Sequence, residues 1–238
     1  MINNLKILGI IPARAGSKGI PKKNIKILGD KPLILHTLAA ASKSKHLDRI
    51  HVSTDSEEIK AIVEKSGFKV PFLRDPEYAR DDVPNIPDVI NHVIDTIKEK
   101  EKYTADIVVF LEPTYPFRSS ETIDMTIEAA ATSGADWAVT ISKVKEHPLR
   151  MRKYNSDSKK IESFLQDKDV FVQRQEFDNL YSIKGAVYAT KTKNLKKDLR
   201  LCSWHGVVID HMEAIDIDEI FDFRVANALA ITNCEGRL

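Results

Sequence analysis

The fold class follows from the segment LKILGIIPARAGSKGIPKKN, residues 5–24. Its first part, Leu5 to Ile11, is a short apolar run close to the N-terminus, which is typical of a buried central strand. The remainder, up to Asn24, is rich in glycine, lysine and proline and is predicted to be a loop. A buried strand that leads into such a loop is typical of an α/β sheet, in which ligands bind beyond the carboxyl ends of the strands.

The rest of the chain continues as alternating strands and helices. Further strands are predicted at Arg49–Ser53, Ile107–Leu111, Trp137–Ile141, Ala186–Thr190 and Val207–Asp210. Helices are predicted from apolar spacing and capping residues at Leu33–Ser42, Ser56–Lys65, Ile86–Glu99, Ser120–Thr132 and Glu219–Ile231. This order indicates an α/β fold with a mostly parallel, Rossmann-like sheet and helices on both faces.

The alternation stops after Ser142. Residues 143–183 are charged, contain aromatic side chains and show no clean helical period, so we expect an inserted lobe of strands and loops within a single domain, 1–238. A monomer would leave such a segment poorly covered. We therefore expect the lobe to exchange across a two-fold axis and the protein to be a homodimer.

Bulk properties exclude several classes of protein. The formal net charge is +1, so no basic excess suggests binding to nucleic acid. Cys202 and Cys234 lie far apart without metal-ligand spacing, which indicates free thiols in a reducing compartment. The short apolar run at Ile7–Ile11 is followed at once by Arg14 and Lys18, unlike a signal peptide, and no segment has the length of a membrane span. We expect a cytoplasmic protein without membrane contact.

The opening loop has the composition of an anion-binding site. It contains four cations and no acid: Arg14, Lys18, Lys22 and Lys23. Gly16 and Gly19 allow tight turns that bring backbone amides close to a ligand, and successive amides form a nest for an anion. A triphosphate suits these features, although a solvated basic loop is the alternative. The spacing is not that of a P-loop, which excludes a GTPase or kinase of that type.

A pair of acids near the C-terminus suggests a metal site. If Ala214–Asp218 is a strand, Asp216 and Asp218 share one face while Ile215 and Ile217 face the core. Two neighbouring carboxylates repel unless a cation lies between them, and Mg²⁺ is held in this way together with substrate phosphates. An ordinary amphipathic strand edge is the alternative.

Two further segments carry polar groups. Leu111–Arg118 follows a predicted strand and contains two prolines, so Glu112 and Thr114 either contact a sugar or base or belong to a stiff connection. Residues 173–188 suit a sugar-binding wall or a subunit interface equally well.

Together these segments resemble the CMP-sialic acid synthetases, or acylneuraminate cytidylyltransferases, from Lys6 to about Ile231. The signature of that family's nucleotide-binding loop is matched by Arg14, Ser17, Lys18, Gly19, Pro21 and Asn24. The resemblance implies transfer of CMP from CTP to the anomeric hydroxyl of an acidic sugar, with release of pyrophosphate. It also implies that CTP is bound by Ala13, Arg14, Ser17, Lys18, Asn24, Arg74, Val83 and Asn85.

The same resemblance implies the remaining site residues. Asp216 and Asp218 match the family's Mg²⁺ motif, Asp222 matches a further acid, and Arg14 and Lys18 join the aspartates in catalysis. The acidic sugar is implied to contact Glu112, Thr114, Arg150, Arg174, Gln175, Tyr181 and Lys184. The segment Lys145–Arg150 resembles a region that reaches into the partner subunit's site.

Departures from the family pattern concern mainly the sugar. Ala15 replaces a frequent Gly, and Glu112, Tyr115 and Lys184 replace the usual Gln, Ser and Asn. An added anion at Glu112 is costly beside an anionic substrate unless it is paired, and Lys184 is the expected compensating charge. A different acid, such as legionaminic or pseudaminic acid, is therefore expected. The alternative is that Glu112 and Lys184 neutralise each other and leave the usual preference intact. There are two alternatives to this function. One is a transferase that acts on 3-deoxy-octulosonate. The other is a regulator without catalysis, and the aspartate pair argues against this second alternative.

Overall fold

Strands and helices alternate in the computed structural model, which describes residues 2, 4–16, 19–79, 86–165 and 179–234. The strands are β1 (Ile7–Pro12), β2 (Ile27–Leu28), β3 (Lys31–Pro32), β4 (Arg49–Ser53), β5 (Ile107–Phe110), β6 (Trp137–Lys143), β7 (Arg152–Tyr154), β8 (Ile161–Ser163), β9 (Tyr181–Lys191) and β10 (Trp204–Val208). The helices are α1 (Leu33–Ala41), α2 (Glu57–Lys65), α3 (Ile86–Glu101), α4 (Ser120–Thr132) and α5 (Ile220–Cys234).

A six-stranded sheet in the order β10-β6-β9-β5-β1-β4 forms the centre of the protein. The pairs β1–β4, β1–β5 and β10–β6 are parallel, whereas β9 is antiparallel to both of its neighbours, β5 and β6. The sheet is therefore mostly parallel, which confirms the predicted fold class. Because β9 runs against the others, its amino end lies at the same edge as the carboxyl ends of the parallel strands.

The alternation of side chains along β1 explains why helices cover both faces of the sheet. Ile7 and Ile11 pack on one side in a core cluster that includes buried residues of α1, α2 and α4. Leu8 and Ile10 point the other way and pack with Ile90, Val93 and Ile97 of α3. Helix α5 closes a smaller cluster with Ile20, Leu28, Leu33 and Ile217. Central strands that are buried on both faces read as unbroken apolar runs, as β1 and β5 do.

Capping serines mark the starts of two helices. Ser56, the predicted N-cap of α2, accepts a hydrogen bond from the Ile59 amide at 3.3 Å. Ser119 caps α4 in the same way through the Thr122 amide at 3.1 Å.

Within the part of the chain that is described, no helix is both long and apolar enough to cross a membrane.

The end of the sheet differs from the sequence-based expectation. Strand β9 begins at Tyr181 rather than at Ala186, because Tyr181, Ser182 and Ile183 pair with the end of β6. Residues 181–183 were predicted to belong to the inserted lobe and lie instead in the central sheet. Strand β10 covers Trp204–Val208 rather than Val207–Asp210. Within the described part of the lobe, β7 and β8 form a separate two-stranded sheet.

Candidate active site

The polar segments singled out in the sequence meet at one edge of the sheet. The connections after β1, β5, β6 and β10 all begin at carboxyl ends of parallel strands, and β9 begins at the same edge. This is the edge at which ligands bind in open α/β sheets. The opening loop, the segment after β5, the start of β9 and the aspartate segment therefore become neighbours.

Hydrogen bonds hold the opening loop to itself and to the residues at the end of β4. The Asn24 amide donates to the Arg14 carbonyl at 3.0 Å, and Asn24 is buried. The Ala15 amide donates to Asp55 Oδ1 at 2.8 Å, and the Ala13 amide donates to the Ser53 carbonyl at 2.8 Å. Asn24, predicted as a nucleotide contact, thus holds the shape of the loop. Ser17 and Lys18 lie outside the described residues.

Arg74 occupies a buried position beside this loop. It is 5% exposed, and its guanidinium donates to Ser53 Oγ at 2.9 Å and to the Ser53 carbonyl at 2.6 Å. Burial lowers the pKa of Arg74 to about 10, with Asp55 opposing the shift and Arg14 adding to it. The side chain remains charged at neutral pH. Val83 and Asn85, predicted beside the base, lie outside the described residues.

The aspartate segment is not a strand, contrary to the prediction. Residues 215–218 have no regular secondary structure, and main-chain support comes from the Ile217 amide, which donates to the Thr114 carbonyl at 3.0 Å. The segment passes between other loops rather than beside a strand, so no ladder forms. Two neighbouring side chains still alternate as predicted: Ile217 is fully buried and Asp218 is exposed.

The opening loop and the aspartate segment touch each other. Lys23 Nζ donates to the Ile217 carbonyl at 2.7 Å and lies 3.8 Å from Asp218 Oδ1. A Cβ at Gly19 would lie 2.5 Å from the Asp218 carbonyl oxygen, so glycine is required by this close approach. Asp222, predicted as a further acid just beyond the metal motif, accepts hydrogen bonds from the amides of Asp218 and Glu219 at the start of α5.

Asp216 is the more buried member of the pair. Burial raises its pKa, hydrogen bonds from Thr114 and Tyr115 oppose that shift, and the charge of Asp218 adds to it. Its Oδ1 atom is buried and has no hydrogen-bond partner among the described residues. Such an oxygen suits a divalent cation. No group of three or more His, Cys, Asp or Glu side chains in the described ranges is arranged to hold a metal.

The Glu112 carboxyl lies against the β9 backbone at Gly185. A Cβ at Gly185 would be 2.6 Å from Glu112 Oε2, which shows that the carboxyl packs against the β9 backbone. Burial, followed by the charge of Asp216, raises the pKa of Glu112 to about 7. The opposite charges that act on it are Arg118 and Lys23, not the expected Lys184.

Arg118 holds the segment after β5 against an irregularity in β9. Val139 of β6 pairs with Tyr188, whereas Thr140 pairs with Lys184, so β9 bulges at residues 185–187. The buried Arg118 guanidinium donates to the Ala186 carbonyl in the bulge and to the Glu112 carbonyl at 2.6 Å. The Thr140 hydroxyl donates to the Lys184 carbonyl at 2.5 Å. Bulges of this kind are common beside active sites, where they redirect side chains.

A cavity of about 440 Å³ opens beside Asp216. Its described lining comprises Ser142, Lys143, Val144, Lys145, Glu146, Ser182, Lys184, His211, Ala214, Ile215, Asp216, Phe221, Asp222 and Val225. The size is within the range of small-molecule sites. Neither Arg150 nor Tyr181, both predicted sugar contacts, belongs to this described lining; both are exposed. Arg174 and Gln175 lie outside the described residues.

The sequence matches a family model described as cytidylyltransferase over residues 8–229. The chain belongs to the cytidylyltransferase family. Its CMP-N,N'-diacetyllegionaminic acid synthase relative from Legionella pneumophila is 33% identical over 238 residues, covering 98% of this chain and 99% of that protein. The predicted resemblance to CMP-sialic acid synthetases is thereby confirmed.

Two other proteins extend the comparison. An N-acylneuraminate cytidylyltransferase from Streptococcus agalactiae is 31% identical over 196 residues, covering 82% of this chain and 45% of that protein. The chain thus spans about half the length of the streptococcal relative. The solved structure of CMP:2-keto-3-deoxy-manno-octonic acid synthetase complexed with CTP has a TM-score of 0.68 at 16% identity, covering 96% of this chain and 99% of that one. That likeness supports the fold alone.

Sequence reasoning missed several residues of the candidate site. Arg118, Thr140 and His211 received no role, yet the first two shape the bulge and the third lines the cavity. Lys23 was noted as one cation of the basic loop, but not as the residue that contacts the aspartate segment. Arg118 ends the segment Leu111–Arg118, which the sequence analysis had identified as a candidate. Its partners in β9 are distant in the chain, and no local signal in the sequence indicated them.

Proposed function

We propose that this cytidylyltransferase transfers CMP from CTP to the anomeric hydroxyl of a sialic-acid-like 2-keto sugar acid and releases pyrophosphate. The observation that carries the proposal is the contact between the basic loop and the aspartate segment, whose Asp216 lines the cavity. The relatives named above act on N,N'-diacetyllegionaminic acid and on N-acylneuraminate, which supports an acceptor of this kind.

In the proposed reaction the oxygen of the anomeric hydroxyl bonds to the α-phosphorus of CTP. The bond from that phosphorus to pyrophosphate breaks in line, and the hydroxyl loses its proton. Arg14 and Lys18 supply positive charge for the triphosphate from the opening loop. Holding both substrates in reach of each other provides much of the rate, and fixed positive charge provides more as pyrophosphate leaves.

Mg²⁺ is the proposed cofactor, and Asp216 and Asp218 are the residues that would hold it. The unpartnered Asp216 Oδ1 and the repulsion between the two carboxylates support this assignment. When bound there, the ion would neutralise charge on the phosphates. Mg²⁺ normally keeps one or two carboxylates together with substrate phosphates, which agrees with a pair rather than a full protein cage.

The cavity supports an acceptor that is both acidic and partly apolar. Lys143, Lys145 and Lys184 line it and are suited to the acceptor carboxylate. Phe221 and Val225, one helical turn apart on α5, form an apolar wall suited to acylamino or deoxy groups. We therefore propose that an acid such as N,N'-diacetyllegionaminate is a better acceptor than N-acetylneuraminate.

The lobe supports a homodimer as the working form. Large apolar side chains lie exposed in the lobe, namely Met151, Tyr154, Ile161 and Phe164, and at the start of β9, namely Tyr181 and Ile183. Exposed large apolar side chains of this kind support a protein interface. In the proposed dimer, the segment that ends at Arg150 reaches toward the partner's site. Because CTP is the donor, we also propose that the enzyme works in the cytoplasm.

The decisive test is pyrophosphate release from CTP, UTP, ATP or GTP in the presence of Mg²⁺ and one acceptor at a time. The acceptors are N,N'-diacetyllegionaminate, pseudaminate, N-acetylneuraminate and 3-deoxy-octulosonate. We expect CTP to be used far better than the other nucleotides, and a nine-carbon acid other than N-acetylneuraminate to have the highest kcat/KM. Equal use of UTP contradicts the donor. A preference for 3-deoxy-octulosonate contradicts the proposed class of acceptor. If no acceptor leads to release of pyrophosphate, the result favours a binding protein without catalysis.

A further inference from the structure

The bulge adds three residues to β9, and this number decides which way the start of the strand faces. Tyr188 pairs with Val139 of β6, whereas Thr140, the next residue of β6, pairs with Lys184. A regular antiparallel strand would pair Thr140 with Val187. Side chains alternate between the two faces of a sheet, so an insertion of an odd number of residues moves the residues before the bulge to the opposite face.

The cavity lies on the face to which the bulge turns these residues. Ser142 of β6 pairs with Ser182 of β9. Paired residues and alternate residues share a face, so both serines lie on the same side of the sheet as Thr140 and Lys184. Ser142, Ser182 and Lys184 all belong to the described lining of the cavity. If β9 continued without the bulge, Ile183 would face the cavity and Lys184 would point away from it.

The Thr140 hydroxyl holds the bulge at both of its ends. It donates to the Lys184 carbonyl at 2.5 Å and accepts from the Val187 amide at 3.1 Å. Arg118 adds a third contact, because its guanidinium donates to the Ala186 carbonyl at the centre of the bulge. Thr140 and Arg118 are both buried. Hydrogen bonds from two buried side chains thus hold the backbone where the ladder between β6 and β9 is interrupted.

We propose that Thr140 is a positioning residue for acceptor recognition: it fixes the bulge, and the bulge places the Lys184 ammonium in the cavity to bind the acceptor carboxylate. The inference rests on the proposed function, because it concerns the acceptor of that reaction. Lys184 is half-buried. An ammonium binds a carboxylate more strongly in such a partly desolvated site than in open solvent. An ammonium on the other face would be separated from the acceptor by the sheet.

The test is steady-state kinetics of pyrophosphate release by the full chain with CTP, Mg²⁺ and N,N'-diacetyllegionaminate. Thr140→Val keeps the shape of the side chain and removes the hydroxyl. We expect it to raise the KM for the acceptor by about tenfold, with kcat and the KM for CTP within about twofold of the wild type. Thr140→Ser, which keeps the hydroxyl, should restore the acceptor KM.

A double-mutant cycle shows whether Thr140 acts through Lys184. Lys184→Met should raise the acceptor KM at least as much as Thr140→Val does. Adding Thr140→Val to Lys184→Met should raise it little further, because the contact is already lost. Rises that multiply in the double variant would overturn the inference, since they would mean that Thr140 acts independently of Lys184.

Thr190→Val is the matched control. Thr190 is fully buried in the same pair of strands, and its hydroxyl donates to the Asp136 carbonyl at 2.7 Å. It lies beyond the bulge, opposite Trp137, so its loss should lower the melting temperature without changing the acceptor KM. An equal rise of the acceptor KM in Thr190→Val would overturn the inference.

An acceptor KM within twofold of the wild type in folded Thr140→Val would also overturn it. If Thr140→Val does not fold, Thr140→Cys takes its place, because a thiol is a weak hydrogen-bonding group of similar size. Failure of the proposed function is distinguishable: the wild type would then release no pyrophosphate with any acceptor, and the inference would fall with it.

Discussion

Asp216 and Asp218 are two residues apart but differ in surroundings. Asp216 is half-buried and its Oδ1 atom has no hydrogen-bond partner among the described residues, whereas Asp218 is exposed and 3.8 Å from Lys23 Nζ. We expect Asp216→Asn and Asp218→Asn to lower turnover by roughly a hundredfold or more, a few kcal/mol of transition-state stabilisation, with the larger loss at Asp216. The measurement is pyrophosphate release at saturating Mg²⁺.

Glu219→Gln is the matched control for this pair, because it changes an exposed acid next to Asp218 and should keep nearly full activity. Full activity of either aspartate variant, or of the wild type in excess EDTA, would be incompatible with the metal assignment.

Glu112 is predicted to make stability depend on pH. Its pKa is about 7 in the folded protein, raised from 4.5 mainly by burial, so the native state binds the proton more tightly than the unfolded chain. This contribution to stability is fully present below about pH 4.5 and is lost as the pH rises through about 7. In metal-free buffer, this loss lowers the wild-type free energy of unfolding by at most about 3 kcal/mol across that range. The Glu112→Gln variant should not show this decrease.

Urea denaturation at a series of pH values with EDTA measures this difference. Glu58→Gln, which changes an exposed carboxylate paired with Lys22, should leave the wild-type pH dependence intact. Parallel stability curves for wild type and Glu112→Gln would show that Glu112 does not titrate in the assigned surroundings.

At the scale of the element, the opening loop depends on one close backbone approach. A Cβ at Gly19 would lie 2.5 Å from the Asp218 carbonyl oxygen, whereas a Cβ at Gly16 would meet no atom within 4 Å. Gly19→Ala must therefore displace the main chain that carries Asp218. We expect it to lower kcat at least tenfold, about 1.4 kcal/mol, because catalytic geometry tolerates little displacement.

Gly16→Ala is the comparison in the same loop and should lower kcat less than Gly19→Ala does, since its Cβ meets no protein atom within 4 Å. Pyrophosphate release by the two purified variants at equal folded concentration decides the matter. Equal rates for both variants would mean that the loop does not bear on the aspartate segment during turnover.

At the scale of the whole molecule, the prediction concerns assembly. Ile161 in β8 is 65% exposed and lies in the region of the lobe where further large apolar side chains are exposed. Placing a charge there should prevent burial of this surface between subunits. We expect Ile161→Lys to shift the protein toward the monomer and to lower activity, while the melting temperature of the isolated fold changes little.

Light scattering at working concentrations gives the mass directly. Met125 on α4 is 52% exposed outside the lobe, so Met125→Lys should leave the mass unchanged. A wild-type monomer, or the same dimer in Ile161→Lys, would contradict the proposed interface.

Much of the whole molecule could be predicted because its signals are local. The apolar runs at β1 and β5, the caps at Ser56 and the spacing in α3 each depend on residues within a few positions of one another. The basic loop and the aspartate pair were also readable as motifs. From these the sequence alone determined a mostly parallel α/β sheet and the edge at which its polar segments gather, and its resemblance gave the cytidylyltransferase family.

The tertiary structure decided what those motifs touch. It buried Tyr115 among Ala186, Ile209 and Ala214, packed the Glu112 carboxyl against the backbone at Gly185, and left the aspartate segment without a strand partner. Each outcome joins segments far apart in the chain, such as 112–118, 185–187 and 214–218. Desolvation and hydrogen bonding depend on which groups are near each other in space, and the local sequence does not indicate which distant segments become neighbours.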